Sequence, residues 1–302
     1  MNPTDEIIAE ISELKKKRNA VILAHNYQRL EVQKIGDFIG DSLDLSRKAS
    51  QTDADVIVFC GVLFMAESAK ILSPAKTVLL PEMTAGCILA DSADAWQLKK
   101  LKKEHPEAAV VSYINCYAEI KAHSDICCTS ANALQVVESL PNEEIIMLPD
   151  KNLASYIEKQ TKKKIIKWDG VCCVHDRIGA EDVKKARKEH PNAVVIAHPE
   201  CREEVLALAD HIVGTTGMIK LAEQLKTGEM IIITEIGLIE RLREEYPQKQ
   251  FFTVEGGMIC KDMKITTLDS VRNSLQNMEH QIEVEEEIRI KAFNALDKML
   301  KI

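Results

Sequence analysis

The chain has 302 residues, 46% hydrophobic and 28% charged, which is the balance of a globular protein of one to three domains. Its net charge of −8 and aromatic share of 4% argue against nucleic-acid binding and against anionic membranes. There is no apolar run of the roughly 18 residues that a spanning helix needs, and the charged N-terminus has no signal-peptide core. We therefore expect a cytoplasmic protein with no membrane partner.

The apolar pattern predicts the same series of elements three times. Each copy begins with a short buried strand and continues with helix, strand, helix, strand, helix and strand. The three first strands are predicted at 21–24, 109–112 and 194–197. The stretches HPEAAVVSYINC and HPNAVVIAHPEC show the period directly, because they begin 190 − 105 = 85 residues apart.

Strands that alternate with helices indicate parallel sheets covered on both faces. We therefore predict an α/β fold of three homologous three-layer α/β/α sandwich domains, arranged with pseudo-threefold symmetry around a central site. The predicted domains are 1–90, 91–175 and 176–262. The tail 263–302 contains an amphipathic helix that is expected to pack on the first domain.

Polar residues follow the first strand of each copy, and they differ from copy to copy. Because ligands of parallel sheets collect beyond the carboxyl ends of the strands, these residues should face the central site. A structural role would be the commoner explanation for any one of them, but six in equivalent places favour function. They are His25 and Tyr27, Tyr113 and Asn115, and His198 and Glu200.

Hydroxyl residues follow the second strand of each copy, at Ser42, at Ser130 and at Thr215-Thr216. Two interpretations stay open. The hydroxyls could cap the next helix, at about 1 kcal/mol each. Alternatively, three helix N-termini could point at the centre and bind anions, which implies a substrate with several carboxylates or a phosphate.

Nine cysteines need an explanation, since disulfides are rare in the cytoplasm and the chain has no CxxC pair. One follows the fourth strand of each copy: Cys87, Cys172 and Cys260, at spacings of 172 − 87 = 85 and 260 − 172 = 88 residues. Three converging thiolates suit zinc with a fourth ligand, or a [4Fe–4S] cluster with one open iron. Three buried thiols are the weaker alternative. Cys173 lies one residue off the period, so we predict Cys172 as the ligand and Cys173 as a buried residue.

The sequence resembles the quinolinate synthase family in an ordered series of motifs from residue 24 to residue 260. They are AHNYQ, GDSLDLS, CGVLFMAES, YIN, TSAN, AHPEC, VGTTGM and GGMIC. The resemblance implies three cysteine ligands to a [4Fe–4S] cluster whose fourth iron is open, and an activity in NAD biosynthesis. The implied reaction condenses iminoaspartate with dihydroxyacetone phosphate to quinolinate, with loss of phosphate and water. An aspartate oxidase or aspartate dehydrogenase would supply the iminoaspartate. Many bacterial members carry CxxCxxC near the last ligand, whereas Cys260 stands alone.

Strand-end position and resemblance together assign candidate roles. Glu200 is the candidate general base, because it is the one carboxylate among the six strand-end residues. The other catalytic candidates are His25, Tyr27, Tyr113 and His198. The substrate-binding candidates are His25, Ser42, Met65, Tyr113, Asn115, Ser130, His198, Glu200, Thr215 and Thr216. The alternatives are another [4Fe–4S] hydro-lyase acting on a small dicarboxylate, and a non-catalytic cluster or zinc protein.

Overall fold

The computed structural model describes residues 3–255 and 258–302. The first unit contains α1 (Pro3–Arg18), β1 (Ala20–His25), α2 (Leu30–Ile35), β2 (Phe38–Gly40), α3 (Ser42–Gln51), β3 (Val56–Cys60), α4 (Leu63–Leu72), β4 (Thr77–Leu79) and α5 (Ile88–Asp91). The second unit contains α6 (Ala95–Glu104), β5 (Ala109–Tyr113), α7 (Ala118–Ala122), β6 (Ile126–Cys128), α8 (Ala133–Ser139), β7 (Glu144–Leu148), α9 (Lys151–Glu158) and β8 (Lys164–Lys167).

The third unit contains α10 (Ala180–Glu189), β9 (Val194–Ala197), α11 (Glu203–Leu206), β10 (His211–Ile212), α12 (Thr215–Gln224), β11 (Glu229–Ile233), α13 (Ile236–Glu245) and β12 (Gln250–Phe252). A 3₁₀ turn at Asp262–Lys264 then leads to α14 (Leu268–Asn277) and α15 (Glu286–Leu300). Among the helices that the structure describes, none is both long and apolar enough to cross a membrane.

Three parallel four-stranded sheets share one topology, which confirms the predicted fold class. Their strand orders are β2-β1-β3-β4, β6-β5-β7-β8 and β10-β9-β11-β12. In each sheet the first and third strands occupy the centre and pair in parallel register. These central strands are apolar because helices cover both faces, and every residue of β3 is buried.

The two C-terminal helices pack on different units, and α15 departs from the prediction. Helix α14 lies against α1 and β3 of the first unit, as expected for the tail. Helix α15 instead packs mainly on α7 and β6 of the second unit and also contacts α4 of the first. Its buried residues Leu296 and Met299 belong to an apolar core that both units share. Helix α15 therefore joins two units rather than completing one.

The third unit meets the others through polar contacts and through Tyr27 and Tyr156, which pack against its apolar clusters. Its buried apolar residues form clusters apart from the core that the first two units share. The contacts to the first unit include Asn26 Nδ2 donating to Thr215 Oγ1 at 2.9 Å and Arg241 donating to Asn26 Oδ1 at 2.7 Å. A junction built from polar side chains leaves room for a polar site between the units.

Candidate active site

The carboxyl ends of the first strands of all three sheets face one cavity of about 80 Å³. Strand β1 ends at His25, β5 ends at Tyr113, and His198 follows directly after β9. The sequence-predicted residues that line the cavity are His25, Tyr27, Ser42, Met65, Cys87, Tyr113, Asn115, Ser130, Cys172, His198, Glu200, Thr215 and Cys260. The parallel topology thus brings residues from three distant segments to one place.

Thr216 is the predicted site residue that does not line this cavity. Its Oγ1 donates to Asp41 Oδ2 at 2.7 Å and lies 2.9 Å from Asp44 Oδ2. The bonds join α12 of the third unit to α3 of the first. Of the two adjacent candidates, Thr215 faces the cavity and Thr216 links two units.

The capping interpretation of the hydroxyl residues is wrong. Helix α3 is capped by Asp41, whose Oδ1 accepts from the N–H groups of residues 43 and 44 at 3.0 and 2.9 Å. The N-cap residues of α8 and α12 are Asn132 and Gly214. Within the described ranges the hydroxyls of Ser42 and Ser130 make no hydrogen bond, so both are free to bind a ligand.

Glu200 is the centre of a buried hydrogen-bond network. Its Oε2 lies 2.7 Å from His175 Nδ1 and 3.6 Å from His198 Nδ1, and its carboxylate also bonds to Tyr113. Burial alone would raise the pKa of Glu200, but the positive charges that His198 and His175 carry once protonated in acid, and the hydrogen bonds from His175 and Tyr113, lower it to about 2. The carboxylate is therefore ionised at neutral pH.

The two strand-end histidines are neutral at physiological pH. Burial, followed by the nearby His198 and Lys264, lowers the pKa of His25 to about 3. Burial also lowers the pKa of His198 to about 3, although Glu200 acts in the opposite direction. Each ring can therefore act as a neutral donor or acceptor towards a ligand.

A hydrogen-bonded chain connects the three units behind the cavity. Tyr27 Oη lies 2.7 Å from Thr234 Oγ1, which in turn lies 3.0 Å from His175 Nε2. His175 Nδ1 lies 3.2 Å from Cys172 Sγ. Sequence reasoning missed His175 and Thr234 as site residues. The available signal was that His175 follows Cys172 by three residues and Thr234 directly follows the third strand of its copy.

The three predicted metal-ligating cysteines line the cavity with free thiols. Burial raises the pKa of Cys87 and of Cys260 to about 12, and it raises the pKa of Cys172 well above its ordinary value. Thiolates in this setting need a nearby positive charge, and a metal centre supplies it. Cys173 is exposed, which corrects the prediction that it is buried.

A second set of metal-ligating atoms overlaps this cysteine set. Donor atoms of Cys172, His175 and Glu200 all lie within 4.8 Å of one another. His175 is already hydrogen-bonded to both of the others through Nδ1. Cys172 therefore belongs to both sets, and the arrangement is consistent with a metal site at this end of the cavity.

Asn115 supplies an unpaired group in the cavity wall. Its Oδ1 is buried and has no hydrogen-bond partner among the residues that the structure describes. A buried amide oxygen without a donor costs about 1–3 kcal/mol, so a ligand N–H or O–H at this position would be stabilised.

Residues 9–301 match the family model described as quinolinate synthetase A protein. The chain belongs to the quinolinate synthase family. It is 53% identical over 296 residues to the quinolinate synthase of Thermodesulfovibrio yellowstonii, covering 98% of each chain. It is 54% identical over 297 residues to quinolinate synthase 1 of Methanosarcina acetivorans, covering 98% of each, and 48% identical over 303 residues to that of Desulforudis audaxviator, covering 100% of each. The cavity is therefore the candidate active site of a quinolinate synthase family enzyme.

Proposed function

We propose that the chain is a quinolinate synthase that condenses iminoaspartate with dihydroxyacetone phosphate, losing phosphate and water, in the biosynthesis of NAD. The observation that carries the proposal is one cavity, shared by three units, in which three cysteines meet the polar strand-end residues. An aspartate oxidase or aspartate dehydrogenase would supply the unstable imine. Nine free cysteines suit a reducing cytoplasm as the working compartment.

Cys87, Cys172 and Cys260 are the residues that would hold a [4Fe–4S] cluster. Soft thiolate donors on three sides match such a cluster, and no CxxC pair is present to form a zinc ribbon. When bound, the cluster supplies a Lewis-acidic iron that polarises an oxygen of the substrate. The residues of the chain itself bind the substrates, orient them and move protons.

The free polar groups of the cavity suit the two substrates. The hydroxyls of Ser42 and Ser130 can donate to carboxylate or phosphate oxygens, because no partner within the described part of the chain occupies them. Asn115 Oδ1 can accept from the imine N–H, which satisfies its unpaired oxygen. Met65 adds an apolar wall. Together these groups would hold both substrates in register for bond formation.

Proton transfer is assigned from the charge states in the cavity. Glu200 is ionised and can accept a proton as general base. Burial raises the pKa of Tyr27 and Tyr113 well above the usual value, so both stay protonated and can donate. The neutral His25 and His198 can orient keto and imine groups.

The test is an anaerobic assay for quinolinate and phosphate from iminoaspartate and dihydroxyacetone phosphate. We expect both products in equal amounts. A hydro-lyase acting on a small dicarboxylate would release no phosphate from dihydroxyacetone phosphate. A non-catalytic cluster or zinc protein would form neither product, and its metal spectrum would not respond to substrate.

A further inference from the structure

Each unit ties the loop that carries its cysteine to the helix that follows its third strand. In all three units the first backbone N–H of that helix donates to a carbonyl two residues before the cysteine. The bonds, each 2.8 Å long, are Leu63 to Ala85, Lys151 to Gly170 and Ile236 to Met258. The repeated backbone bond makes the position just before the helix equivalent in the three units.

In the second unit a buried carboxylate at that position adds a second tie. Asp150 is 1% exposed and is the N-cap of α9, where its Oδ1 accepts from the N–H of Leu153 at 2.7 Å. Its Oδ2 accepts from the N–H of Cys172 at 3.1 Å. One carboxylate thus joins the helix start to the cysteine itself.

The third unit repeats the arrangement with a longer side chain. Glu235 is 0% exposed and caps α13, where its Oε2 accepts from the N–H of Gly237 at 2.7 Å. Its Oε1 accepts from the N–H of Cys260 at 3.1 Å. The Lys264 ammonium lies 3.0 Å from the same carboxylate and offsets its charge.

The first unit lacks this second tie. The equivalent residue is Val62, which precedes α4 and has an apolar side chain that cannot accept a hydrogen bond. The backbone N–H of Cys87 therefore has no carboxylate at this position, although the backbone bond between helix and loop is kept. The three cysteines are held unequally.

Helix capping alone does not explain two buried carboxylates. A cap needs a single oxygen at the surface, as Asp94 shows by accepting from Gln97 N–H at 2.7 Å at the start of α6. Burying a carboxylate is costly unless its oxygens are all bonded. At Asp150 and Glu235 the second oxygen accepts a hydrogen bond from the backbone N–H of the cysteine, and this bond offsets part of the cost of burying the carboxyl group.

We propose that Asp150 and Glu235 are positioning residues that hold the backbones of Cys172 and Cys260 in place for ligation before any metal enters. Cys87 is then the ligand whose backbone is the least constrained. The inference rests on the three-cysteine centre of the proposed function. Residues that orient metal ligands in this way commonly change metal retention by about 10- to 100-fold when they are replaced.

The first test measures thiol reactivity in the metal-free, full-length chain. Asp150→Ser keeps a good N-cap for α9, but its side chain is too short to reach Cys172. We expect N-ethylmaleimide to modify Cys172 about tenfold faster in this variant, which corresponds to one lost hydrogen bond. The rates at Cys260 and Cys87 should not change. Mass spectrometry of the peptides gives each rate.

Glu235→Ser should give the reciprocal pattern, with Cys260 faster and Cys172 unchanged. Asp94→Ser is the matched control, because it makes the same exchange at the N-cap of α6, which has no link to a cysteine. Cys60, fully buried in β3, reports any general loss of structure. The proposal is overturned if Cys172 in Asp150→Ser and Cys260 in Glu235→Ser are modified at the same rates as in the parent while Cys60 stays protected.

The second test uses the anaerobically reconstituted protein and an iron chelator. Asp150→Ser and Glu235→Ser should lose iron about tenfold faster than the parent and the Asp94→Ser control. Iron loss at the parental rate in both would also contradict the positioning role. If the parent itself takes up no iron, the proposed function fails, while the thiol rates still decide this inference.

Discussion

The two neutral histidines of the cavity should make the metal-free protein lose stability as the pH falls below 6.5. In the unfolded chain their ordinary pKa is 6.5, whereas in the folded chain it is about 3 for both His25 and His198. Because the folded pKa is depressed, the unfolded state binds more protons throughout the window between 6.5 and 3. Over the 1.5 units from pH 6.5 to 5.0, each histidine costs ~2 kcal/mol at ~1.36 kcal/mol per unit.

Glu200 does not add to the loss of stability between pH 7.5 and 5.0. Its folded pKa of about 2 is below the ordinary 4.5, so its stabilisation is complete above pH 4.5 and is lost only below it. Any fall in stability between pH 7.5 and 5.0 should therefore come from the histidines, because the buried carboxyls of Asp150 and Glu235 have raised pKa values and add stability as the pH falls.

The assay is urea unfolding of the metal-free chain at pH 7.5 and pH 5.0. His198→Gln should reduce the loss of unfolding free energy between the two values by about 2 kcal/mol relative to the parent. His211→Gln, at a half-buried position on β10, is the control and should keep the parental loss. If His198→Gln loses as much stability as the parent, the account of a buried neutral imidazole is wrong.

Three further predictions concern the site. Glu200→Gln should keep the metal content but lower turnover by ~10²-fold or more; the exposed Glu204→Gln serves as control, and near-parental turnover in Glu200→Gln would make that residue structural. Cys173→Ser should retain iron whereas Cys172→Ser loses it, because Cys173 is exposed and Cys172 lines the cavity; the opposite result would reverse the ligand assignment. Thr216→Val should lower the unfolding free energy by about 1–3 kcal/mol with kcat nearly unchanged, whereas a large loss of kcat at parental stability would place Thr216 on the substrate.

The repeated architecture could be predicted from the sequence because local patterns carry it. Short apolar runs bounded by polar residues specify buried parallel strands, and an 85-residue offset between similar stretches exposes the repeat. The strand-end rule then placed His25, Tyr113 and His198 at one cavity without knowledge of any contact.

The first residues of the helices were harder to predict from the sequence, because a shift of one residue changes which side chain caps the helix. Asp41 precedes Ser42 and caps α3 in its place. Both residue types are good caps, so composition does not separate them. The error matters for function, because Asp41 caps α3 and the hydroxyl of Ser42 is therefore available to a ligand.

Contacts between the units could not be predicted from the sequence pattern. Tyr27 and Thr234 are 207 residues apart and meet only because the units pack around one cavity. The packing of α15 on the second unit likewise depends on which apolar surfaces remain uncovered after the units assemble. The contacts of Asp150 and Glu235 with the cysteine loops could not be predicted either, because they too depend on the tertiary structure.

The three cysteines and the strand-end residues are proposed to form one iron–sulfur active site for quinolinate synthesis. Iron and sulfide analysis of the anaerobically purified chain, followed in the same sample by the quinolinate assay, tests this proposal. We predict about four irons and four sulfides per chain, as a single [4Fe–4S] cluster requires, with quinolinate formation that air exposure abolishes. Quinolinate formed at an undiminished rate by an aerobic, iron-free sample would contradict the account.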